Sequence, residues 1–419
     1  MRRSELFIKT RKQAPADEES RNAQLLIRAG YIHKEMAGVY SYLPLGKIVI
    51  DKISQIVREE MNRIGGNEVL MSTLQNKELW EASGRWDDKV VDNWFKSKLA
   101  NGADVGIGLT HEEPLVNALK AFVSSYKDLP IYPYQIQTKF RNELRAKSGL
   151  LRGREFLMKD LYSFSRSSAE HDKFYDETAP KAYMEVYGRL GLGDITYRTF
   201  ASGGYFSKYS MEFQTLSDVG EDTIYLDRKK NLAVNKEVYT DEVLADLGLS
   251  KNELEEVKAV EVGNIFPLGS KYSDILDLYF TDKKGQRQSI IMGSYGIGIS
   301  RLMGLLAEHF ADDKGLVWPS AVAPYDVYLC RLGDEADVKK AADDTYKQLE
   351  SDGISVLYDD RGDRPGEQFA DADLLGLPWR AVVSSNSLKA GGAELKKRGS
   401  EEVKIVPTKS IKETLGKPT

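Results

Sequence analysis

The sequence predicts an α+β region followed by a smaller α/β domain. One observation is a β-rich run over 131–141 that returns as a second run over 154–164, which is typical of two paired strands. Another is a proline-punctuated joint at 318–324, beyond which strand and helix patterns alternate as in a partly parallel sheet. The chain has 419 residues, enough for two or three domains. We therefore predict one domain over 1–320 and a second over 321–419.

Composition and charge narrow the class of protein. The hydrophobic share of 41% and the charged share of 29% are those of a globular protein in water. A net charge of −5 argues against a broadly basic nucleic-acid coat, although a local basic path is compatible with it. Cys330 is the only cysteine and the four histidines are scattered, so we expect no disulfide and no zinc site.

The sequence also bears on the cellular compartment. No apolar run reaches the length of a membrane span. Arg2 and Arg3 are followed by no apolar core of the kind that a signal peptide contains. We therefore expect a cytoplasmic protein, in a reducing environment, that does not bind membranes.

The N-terminal region is predicted to combine helices with short strands. Apolar residues at spacings of three and four predict a long helix that begins at Gly46 and ends at Gly65 and Gly66. The other elements predicted here are a helix over 20–29, a strand over 68–74, a strand pair over 93–102, a strand over 105–110 and a helix over 113–126.

The elements after the two central strands follow from the same patterns. Up to the proline-punctuated joint they are a helix over 169–190, a segment over 209–216, a short, charged and mostly helical excursion over 226–262, a strand over 289–292, a glycine-containing link over 293–298 and a helix over 299–310. Beyond the joint they are a strand over 326–330, a helix over 334–351, a strand over 355–358, a helix over 367–375 and a strand over 379–384.

The end of the first central strand carries the residues best suited to a nucleotide. Arg141 and Glu143 are two residues apart, so on a strand they share a face. An arginine can hold a phosphate bidentately and a carboxylate can accept from an amino group. Arg152 offers a second cation and Phe156 an apolar ring for adenine. An ordinary charge pair across two strands is the alternative for Arg141 and Glu143.

A second candidate element runs from Met292 to Arg301. Small residues such as Gly296 and Gly298 let a nucleotide lie against the backbone, and Arg301 in the following helix can reach a terminal phosphate. Alone, this glycine pattern is weak evidence, because it often only lets a helix pack closely on a sheet. A plain surface charge is the alternative for Arg301.

These two elements resemble motifs of one enzyme class. Phe140-Arg141-Asn142-Glu143 resembles motif 2 of the class II aminoacyl-tRNA synthetases, and the stretch 152–156 resembles the distal half of that motif. Gly293-Ser294-Tyr295-Gly296-Ile297-Gly298-Ile299-Ser300-Arg301 resembles motif 3. The helix from Gly46 and the strand from Glu68 resemble motif 1, which forms the dimer interface in that class.

Further segments resemble the prolyl-tRNA synthetase family in particular. Leu109-Thr110-His111-Glu112-Glu113 is similar to its proline-binding segment, and 358–361 and 364–374 are similar to its anticodon-binding domain. The likeness covers nearly the whole chain in family order. It implies a class II catalytic domain, with an antiparallel sheet flanked by helices, and a C-terminal α/β anticodon-binding domain. It also implies a homodimer, formed through the motif 1 region.

The resemblance implies a two-step reaction. ATP and L-proline give prolyl-adenylate and pyrophosphate, and the prolyl group then passes to the 3′ end of tRNA(Pro). It implies that Arg141 and Arg301 are the catalytic residues. The implied ATP site comprises Arg141, Glu143, Arg152, Phe156, Gly296, Gly298 and Arg301. A transient Mg²⁺ is expected with ATP, and Glu212 is its candidate ligand, with a structural carboxylate as the alternative.

The implied proline site and anticodon site complete the set of functional residues. Proline is expected to contact Thr110, Glu112, Arg141, Tyr205, Ser210 and Met211. The anticodon is expected to contact Asp359, Asp360, Arg361 and Arg364. His111 lies between Thr110 and Glu112, so on a strand it faces away from them, and we interpret it as structural.

Three departures from the family pattern have consequences. Ser72 stands where motif 1 usually has a proline. Tyr205 and Met211 stand where many relatives have a small residue and a histidine, which leaves open an altered amino-acid specificity. A non-catalytic tRNA-binding or regulatory paralogue is the other alternative, but Arg141, Glu143 and Arg301 are all retained.

The spacing of the motifs predicts a short form of the enzyme. Most bacterial relatives of the family carry a large editing domain between motifs 2 and 3, whereas this chain has only the 226–262 excursion there. A pocket cannot strongly reject a smaller side chain, since missing methylenes change binding by only about 1–3 kcal/mol. We therefore predict that alanine is misactivated and that a separate trans-editing protein clears the product.

Overall fold

The computed structural model of this chain describes residues 1–204, 206 and 208–415. The strands in these residues are β1 (Ile32–Met36), β2 (Val39–Tyr42), β3 (Asn67–Glu68), β4 (Leu74–Asn76), β5 (Lys96–Lys98), β6 (Asp104–Ile107), β7 (Pro133–Phe140), β8 (Glu155–Ser165), β9 (Thr196–Ser202), β10 (Tyr209–Leu216), β11 (Asp222–Asp227), β12 (Leu232–Asn235), β13 (Glu255–Gly269), β14 (Tyr279–Thr281), β15 (Arg287–Ser289), β16 (Ile291–Gly298), β17 (Val327–Leu332), β18 (Val356–Asp359), β19 (Trp379–Ser384), β20 (Ala393–Lys397) and β21 (Val403–Val406).

The α-helices in the same residues alternate with these strands. They are α1 (Arg21–Arg28), α2 (Pro44–Arg63), α3 (Lys77–Ala82), α4 (Glu112–Leu119), α5 (Ser168–Lys173), α6 (Ala179–Arg189), α7 (Asp241–Asp246), α8 (Lys271–Ile275), α9 (Ile299–His309), α10 (Ala336–Ser351), α11 (Pro365–Leu375), α12 (Ser385–Lys389) and α13 (Ile411–Leu415). A single π-helical turn, Phe174–Thr178, joins α5 to α6.

The chain divides into two compact units. One comprises Met1–Ile53, Lys147–Leu150 and Met303–Thr419, and the other comprises Ser54–Ala146 and Leu151–Leu302. We call them the peripheral unit and the sheet unit. The 320/321 domain boundary read from the sequence remains a prediction, because these units follow backbone packing rather than functional domains.

The sheet unit is built on a nine-stranded sheet in the order β10-β9-β12-β11-β13-β16-β8-β7-β3. Among its described strands, β12 with β9 and β3 with β7 pair in parallel, and the other neighbours pair antiparallel. The two strands predicted from 131–141 and 154–164 are β7 and β8, near one end of the sheet. The predicted antiparallel sheet flanked by helices is thereby confirmed.

The central strands present two different faces. Alternate residues of a strand point to opposite sides, so Phe156, Met158 and Asp160 of β8 share one face, while Lys159 lies on the other. Lys159 is fully buried, and its ammonium group donates to the hydroxyl of Tyr183 in α6 over 2.7 Å. Helix α6 therefore covers the Lys159 face, and the Asp160 face is left for the candidate site.

The peripheral unit contains a five-stranded sheet in the order β18-β17-β19-β20-β21. Strand β17 pairs in parallel with β18 and β19, whereas β20 pairs antiparallel with both of its neighbours. Its core is a cluster of aliphatic side chains from β17, β18, β19 and α10. The partly parallel α/β domain predicted from the sequence is confirmed.

Some predicted elements are wrong. The excursion over 226–262 is mostly strand rather than helix, because β11, β12 and β13 join the main sheet. Its charged residues suggested a helix, but in β13 they are interspersed with buried ones such as Ala259 and Val262, which pack within the sheet. Only the two ends of the 68–74 stretch are strand, and the helix predicted over 113–126 ends at Leu119.

Candidate active site

The floor of the candidate site is formed by three neighbouring strands of the nine-stranded sheet. Gly296 of β16 pairs with Asp160 of β8 on one side and with Asn264 of β13 on the other. A Cβ atom at Gly296 would lie 2.6 Å from Cε of Met158 and 2.8 Å from Oδ1 of Asn264. Any larger residue at this position would have to displace the side chains of Met158 and Asn264. The 293–298 stretch is thus part of a strand, and not the link between strand and helix that the sequence predicted.

Arg141 lies directly beyond the end of β7. Its backbone N–H donates to the carbonyl of Arg154 over 2.8 Å, which continues the pairing of β7 with β8. Its guanidinium carbon is 5.2 Å from the centre of the Phe156 ring, a cation–π distance. Arg141 and Phe156, both predicted to bind ATP, therefore lie together at one edge of the floor.

Two further predicted ATP ligands, Glu143 and Arg152, form an ion pair. Nε of Arg152 donates to Oε2 of Glu143 over 3.0 Å, and its Nη1 donates to Glu221 over 2.8 Å. The Arg152 side chain is 47% exposed, so these contacts hold it only weakly. An incoming phosphate can replace them at little cost.

Arg301, at the start of α9, is held by the sheet beside it. Its Nε donates to the carbonyl of Leu151 over 2.9 Å, and its Nη1 is 3.1 Å from Oε2 of Glu261. The side chains of Arg301 and Glu261 are 28% and 26% exposed, so both can reach a ligand. Glu261 is a candidate functional residue that the sequence did not reveal, because it lies in the misassigned 226–262 stretch.

Glu212 lies on β10 in a strongly acidic neighbourhood. Burial raises the pKa of Glu212 well above its usual value, and the charge of Glu261 adds to this. Its Oε2 accepts hydrogen bonds from Gln214 and Asn235 over 2.8 and 3.3 Å. Burial likewise raises the pKa of nearby Asp222. A cation placed between these carboxylates would relieve their repulsion, so the donor set fits Mg²⁺.

This acidic group is not a complete metal cage. Among the described residues, no cluster of three or more histidine, cysteine or acidic side chains has an arrangement able to hold a metal ion. Mg²⁺ at nucleotide sites typically uses one or two carboxylates together with substrate phosphates and water. Glu212 and Glu261 match that smaller requirement.

Thr110 and Glu112 lie where β6 leads into α4. Glu112 is the first residue of the helix, so the stretch through Thr110 is not the continuous strand that was predicted. The Thr110 hydroxyl donates to Glu112 over 2.8 Å and lies 3.3 Å from the hydroxyl of Tyr162 on β8. The start of a helix favours carboxylates, because its free N–H groups point toward them.

His111 is fully buried in a network of charged groups. The ammonium group of Lys139 is 2.7 Å from Nδ1 of His111 and 2.7 Å from Oδ2 of Asp160. Nε2 of His111 therefore carries the proton and donates to the carbonyl of Ser72 over 3.0 Å. Burial lowers the pKa of His111 to about 3, and the charge of Lys139 adds to this. His111 is a neutral link between segments.

The remaining predicted proline ligands lie on or before β10. The Ser210 hydroxyl donates to the carbonyl of Ser202 over 2.7 Å and is buried, whereas Met211 is partly exposed. Adjacent strand residues point to opposite faces, so Ser210 and Met211 do not share one wall. Tyr205 lies outside the described residues.

The predicted anticodon ligands lie after β18 in the peripheral unit. Asp359 is fully buried, and its Oδ2 accepts from Tyr328 over 2.6 Å and from Arg361 over 2.7 Å. Hydrogen bonds from Arg361 and Tyr328 outweigh burial and lower the pKa of Asp359. Asp360 accepts from the hydroxyl and backbone of Ser4. Of the four residues predicted to contact the anticodon, only Arg364 is exposed to solvent.

Comparison with known proteins identifies the family. Residues 95–310 match the class II core domain of the tRNA synthetases for G, H, P, S and T, and residues 326–417 match an anticodon-binding domain. The chain is 38% identical to a proline–tRNA ligase of Phenylobacterium zucineum over 432 residues, covering 97% of this chain and 98% of the relative. The chain belongs to the prolyl-tRNA synthetase family.

Other relatives agree with this assignment. A proline–tRNA ligase of a Wolbachia strain from Drosophila simulans is 39% identical over 417 residues, covering 96% of this chain and 97% of the relative. A crystal structure of prolyl-tRNA synthetase from Cryptosporidium parvum with L-proline and AMP has the same fold, with a TM-score of 0.75 at 18% identity. The structural match covers 94% of this chain and 74% of the Cryptosporidium parvum chain.

Membership of the prolyl-tRNA synthetase family settles several predictions. Enzymes of this class use ATP, and those of this family join proline to tRNA. The curated relatives are matched over 97–98% of their own length, so the predicted short form is confirmed. No helix in the described part of the chain combines the length and apolar character that crossing a membrane requires.

Proposed function

We propose that this chain is a catalytically active prolyl-tRNA synthetase, which forms prolyl-adenylate on the Asp160 face of its sheet. The observation that carries the proposal is the convergence of the motif residues there. Arg141 lies over Phe156, and Gly296, which pairs with Asp160, presents backbone without a side chain on the same sheet. The backbone N–H of Phe140 donates to the carbonyl of Gly108 over 2.9 Å, which brings the Thr110 segment beside Arg141.

The ATP site would use charge and shape rather than proton transfer. Arg141 would bridge the α-phosphate and the proline carboxylate, stabilising negative charge as the carboxylate attacks phosphorus. Arg152 and Arg301 would hold the β- and γ-phosphates in place of their present carboxylate partners. Glu143, released from Arg152, would accept from the adenine amino group, and the adenine would lie over Phe156 and against Gly296 and Gly298.

The proline site would lie beside the α-phosphate. Thr110 and Glu112 would bind the imino nitrogen, since a secondary ammonium needs an acceptor or an anion. The proline carboxylate is already ionised at neutral pH, so no general base is needed. Ser210 and Tyr205 would bound the proline ring, whereas Met211, next to Ser210 on β10, points to the opposite face of the sheet. Rate enhancement would come from positioning and charge stabilisation.

We place Mg²⁺ at Glu212, with Glu261 as a second ligand. Bound there with ATP, the ion would neutralise charge on the phosphates. Arg301 pairs with Glu261 over 3.1 Å, and the ion would become the partner of this carboxylate once Arg301 holds a phosphate. The ion would also offset the repulsion between the carboxylates of Glu212 and Glu261.

The rest of the molecule would serve tRNA recognition and assembly. We propose that residues 321–419 bind the tRNA(Pro) anticodon, and that Arg364 and Arg361 contact it directly. Buried Asp359 would hold Arg361 in place, and Asp360 would anchor the N-terminal segment through Ser4. We also propose a cytoplasmic homodimer, formed through the motif 1 region around α2 and β3.

One experiment tests the assignment. ATP–pyrophosphate exchange is measured with each of a panel of amino acids, and proline tRNA is then charged with the same enzyme. We expect exchange with proline, weaker exchange with alanine, and charging of tRNA(Pro). Exchange with proline but without charging would contradict ligase activity. Absence of exchange with any amino acid would instead support a non-catalytic tRNA-binding or regulatory role.

An enzyme with altered amino-acid specificity is the second candidate function. Met211 and Tyr205 favour it, because both depart from residues common in the family at the expected proline pocket. In this case another imino or amino acid would support faster exchange than proline in the same panel.

A further inference from the structure

A buried cluster of three charged side chains lies beneath the Thr110–Glu112 segment. The side chain of Arg85 is 2% exposed, and those of Glu112 and Glu113 are fully buried. Nη1 of Arg85 is 3.0 Å from Oε2 of Glu112 and 3.1 Å from both carboxylate oxygens of Glu113. One guanidinium nitrogen thus holds two consecutive carboxylates at the start of α4.

Aromatic rings fix the guanidinium group of Arg85 in this position. Its central carbon is 4.8 Å from the ring centre of Trp80, 5.1 Å from that of Phe206 and 5.5 Å from that of Tyr272. These rings come from three separate segments of the sheet unit. Contact with the faces of aromatic rings stabilises a desolvated cation, so Arg85 is held from several sides.

With both carboxylates ionised, the cluster has a formal charge of −1, since one cation faces two anions. Arg141 is the cation that the proposed function assigns to the phosphate and carboxylate of the substrates, and the remaining charged groups add nothing to this sum. Lys139 is paired with Asp160 over 2.7 Å, and His111 is neutral. Ser83 donates a hydrogen bond to Glu113 over 2.6 Å but carries no charge. Burial raises the pKa of Glu113, Arg85 opposes this rise and Glu112 adds to it.

An uncompensated negative charge in a buried site attracts one more cation. We propose that Arg85 is a positioning residue that fixes Glu112 for the proline nitrogen, and that Glu113 keeps the cluster at −1 so that the site selects a cationic ring. This inference rests on the proposed function, in which Glu112 binds that nitrogen. Proline brings a secondary ammonium, which makes the site neutral, whereas an uncharged ring of the same size does not.

The first test removes one negative charge without changing the shape. Glu113→Gln can still accept from Ser83, but it leaves Arg85 and Glu112 as a neutral pair. We expect the KM for proline to rise at least about tenfold, while kcat and the KM for ATP change less than about threefold. Glu308→Gln is the matched control, because Glu308 is a buried carboxylate hydrogen-bonded to Asn22 outside the candidate site.

The second test measures directly whether the site prefers a cationic ring over an uncharged one. Tetrahydrofuran-2-carboxylate has the ring and carboxylate of proline, with oxygen in place of the ammonium. As a competitive inhibitor of exchange, it should bind the wild-type enzyme far more weakly than proline does. The ratio of its inhibition constant to the KM for proline should fall at least about fivefold in Glu113→Gln.

The third test concerns positioning. Arg85→Lys keeps the positive charge, but an ammonium group cannot reproduce the fixed planar geometry of the guanidinium. We expect it to raise the KM for proline without affecting the KM for ATP. Arg85→Met removes the cation from between two buried carboxylates and would destabilise the fold, so Arg85→Lys and Glu113→Gln carry the test.

The outcomes separate this inference from the proposed function. If wild-type enzyme exchanges with proline but Glu113→Gln keeps the wild-type KM for proline and the same discrimination, the inference is overturned. Equal rises in the KM for proline and for ATP would mean a merely structural role and overturn it too. If the wild-type enzyme shows no proline-dependent exchange, the proposed function fails, and the inference fails with it.

Discussion

Lys139 carries a positive charge inside the candidate site, where it needs an anion as a partner. It is fully buried on β7, and its ammonium group is shared between Asp160 and His111. Burial lowers the pKa of Lys139, and the nearby Asp160 opposes that shift. Because Asp160 lies on the floor and His111 precedes Glu112, this one ammonium group connects the floor of the candidate site to the Thr110–Glu112 segment.

Replacing Lys139 should therefore lower the free energy of unfolding of the protein. Lys139→Met leaves the buried Asp160 without its cation, which typically costs about 3–5 kcal/mol in the free energy of unfolding. Urea unfolding checks this, with the exposed Lys147→Met as the matched control. The double substitution Lys139→Met with Asp160→Asn should recover part of the loss. A Lys139→Met protein as stable as the control would contradict the assigned ion pair.

The neutral state of His111 predicts how stability depends on pH. Its pKa is about 3 in the folded protein against an ordinary value of 6.5. As the pH falls below about 6.5 the unfolded chain binds a proton that the folded chain does not, so stability is lost progressively down to pH 3. The contribution is complete above pH 6.5.

Urea unfolding between pH 4 and pH 7.5 measures this dependence, with about 1.4 kcal/mol per pH unit as the upper limit for one proton. His111→Gln keeps one donor and one acceptor without a titrating ring, so its stability should fall less steeply with acid. A slope equal to that of the wild-type protein would show that other groups, such as buried His171, account for the effect.

Strand β16 shows what one element contributes to the site. Its glycines lie in the sheet itself, so the floor of the candidate site is a strand rather than the link predicted from the sequence. A Cβ atom at Gly296 would force the side chains of Met158 and Asn264 to move. Gly296→Ala should lower the free energy of unfolding by about 1–3 kcal/mol and slow adenylate formation about 10- to 100-fold.

Exchange kinetics and urea unfolding of the Gly296→Ala enzyme test this prediction. Gly188→Ala in α6 is the control, because a Cβ atom there meets nothing within 4 Å and alanine favours a helix. If Gly296→Ala bound ATP with wild-type affinity and turned over normally, the floor would lie elsewhere.

The elements differ in how well the sequence predicted them. The pair β7 and β8 and the elements β17, α10, β18, α11 and β19 were predicted well, because apolar periodicity there matches one type of element. The later elements of the C-terminal domain, from α12 to α13, were not predicted. The 226–262 stretch was misread, because charged residues such as Glu255, Glu256 and Lys258 fall on both faces of β13 and leave no regular alternation. Arg85 and Glu261 were missed, since each acts through a neighbour that is distant in sequence and no local pattern marks it.

Relatives of similar length match nearly the whole chain. This short form bears on how well the enzyme distinguishes proline from alanine. Alanine lacks the two outer methylenes of the proline ring, and each one changes binding by only about 1–3 kcal/mol. Pyrophosphate exchange with alanine should therefore be measurable, with a kcat/KM roughly 10²- to 10⁴-fold below that for proline. Exchange with alanine at the background rate would contradict this prediction.

We propose that Arg141 stabilises the transition state of adenylate formation. The decisive measurement is the single-turnover rate of prolyl-adenylate formation with saturating ATP and proline. Arg166→Lys is the control, because Arg166 is an exposed arginine paired with Glu170. Arg141→Lys should react at least about 100-fold more slowly than wild type, since lysine keeps the charge but loses bidentate contact. A rate within about threefold of wild type would show that Arg141 does not stabilise this transition state.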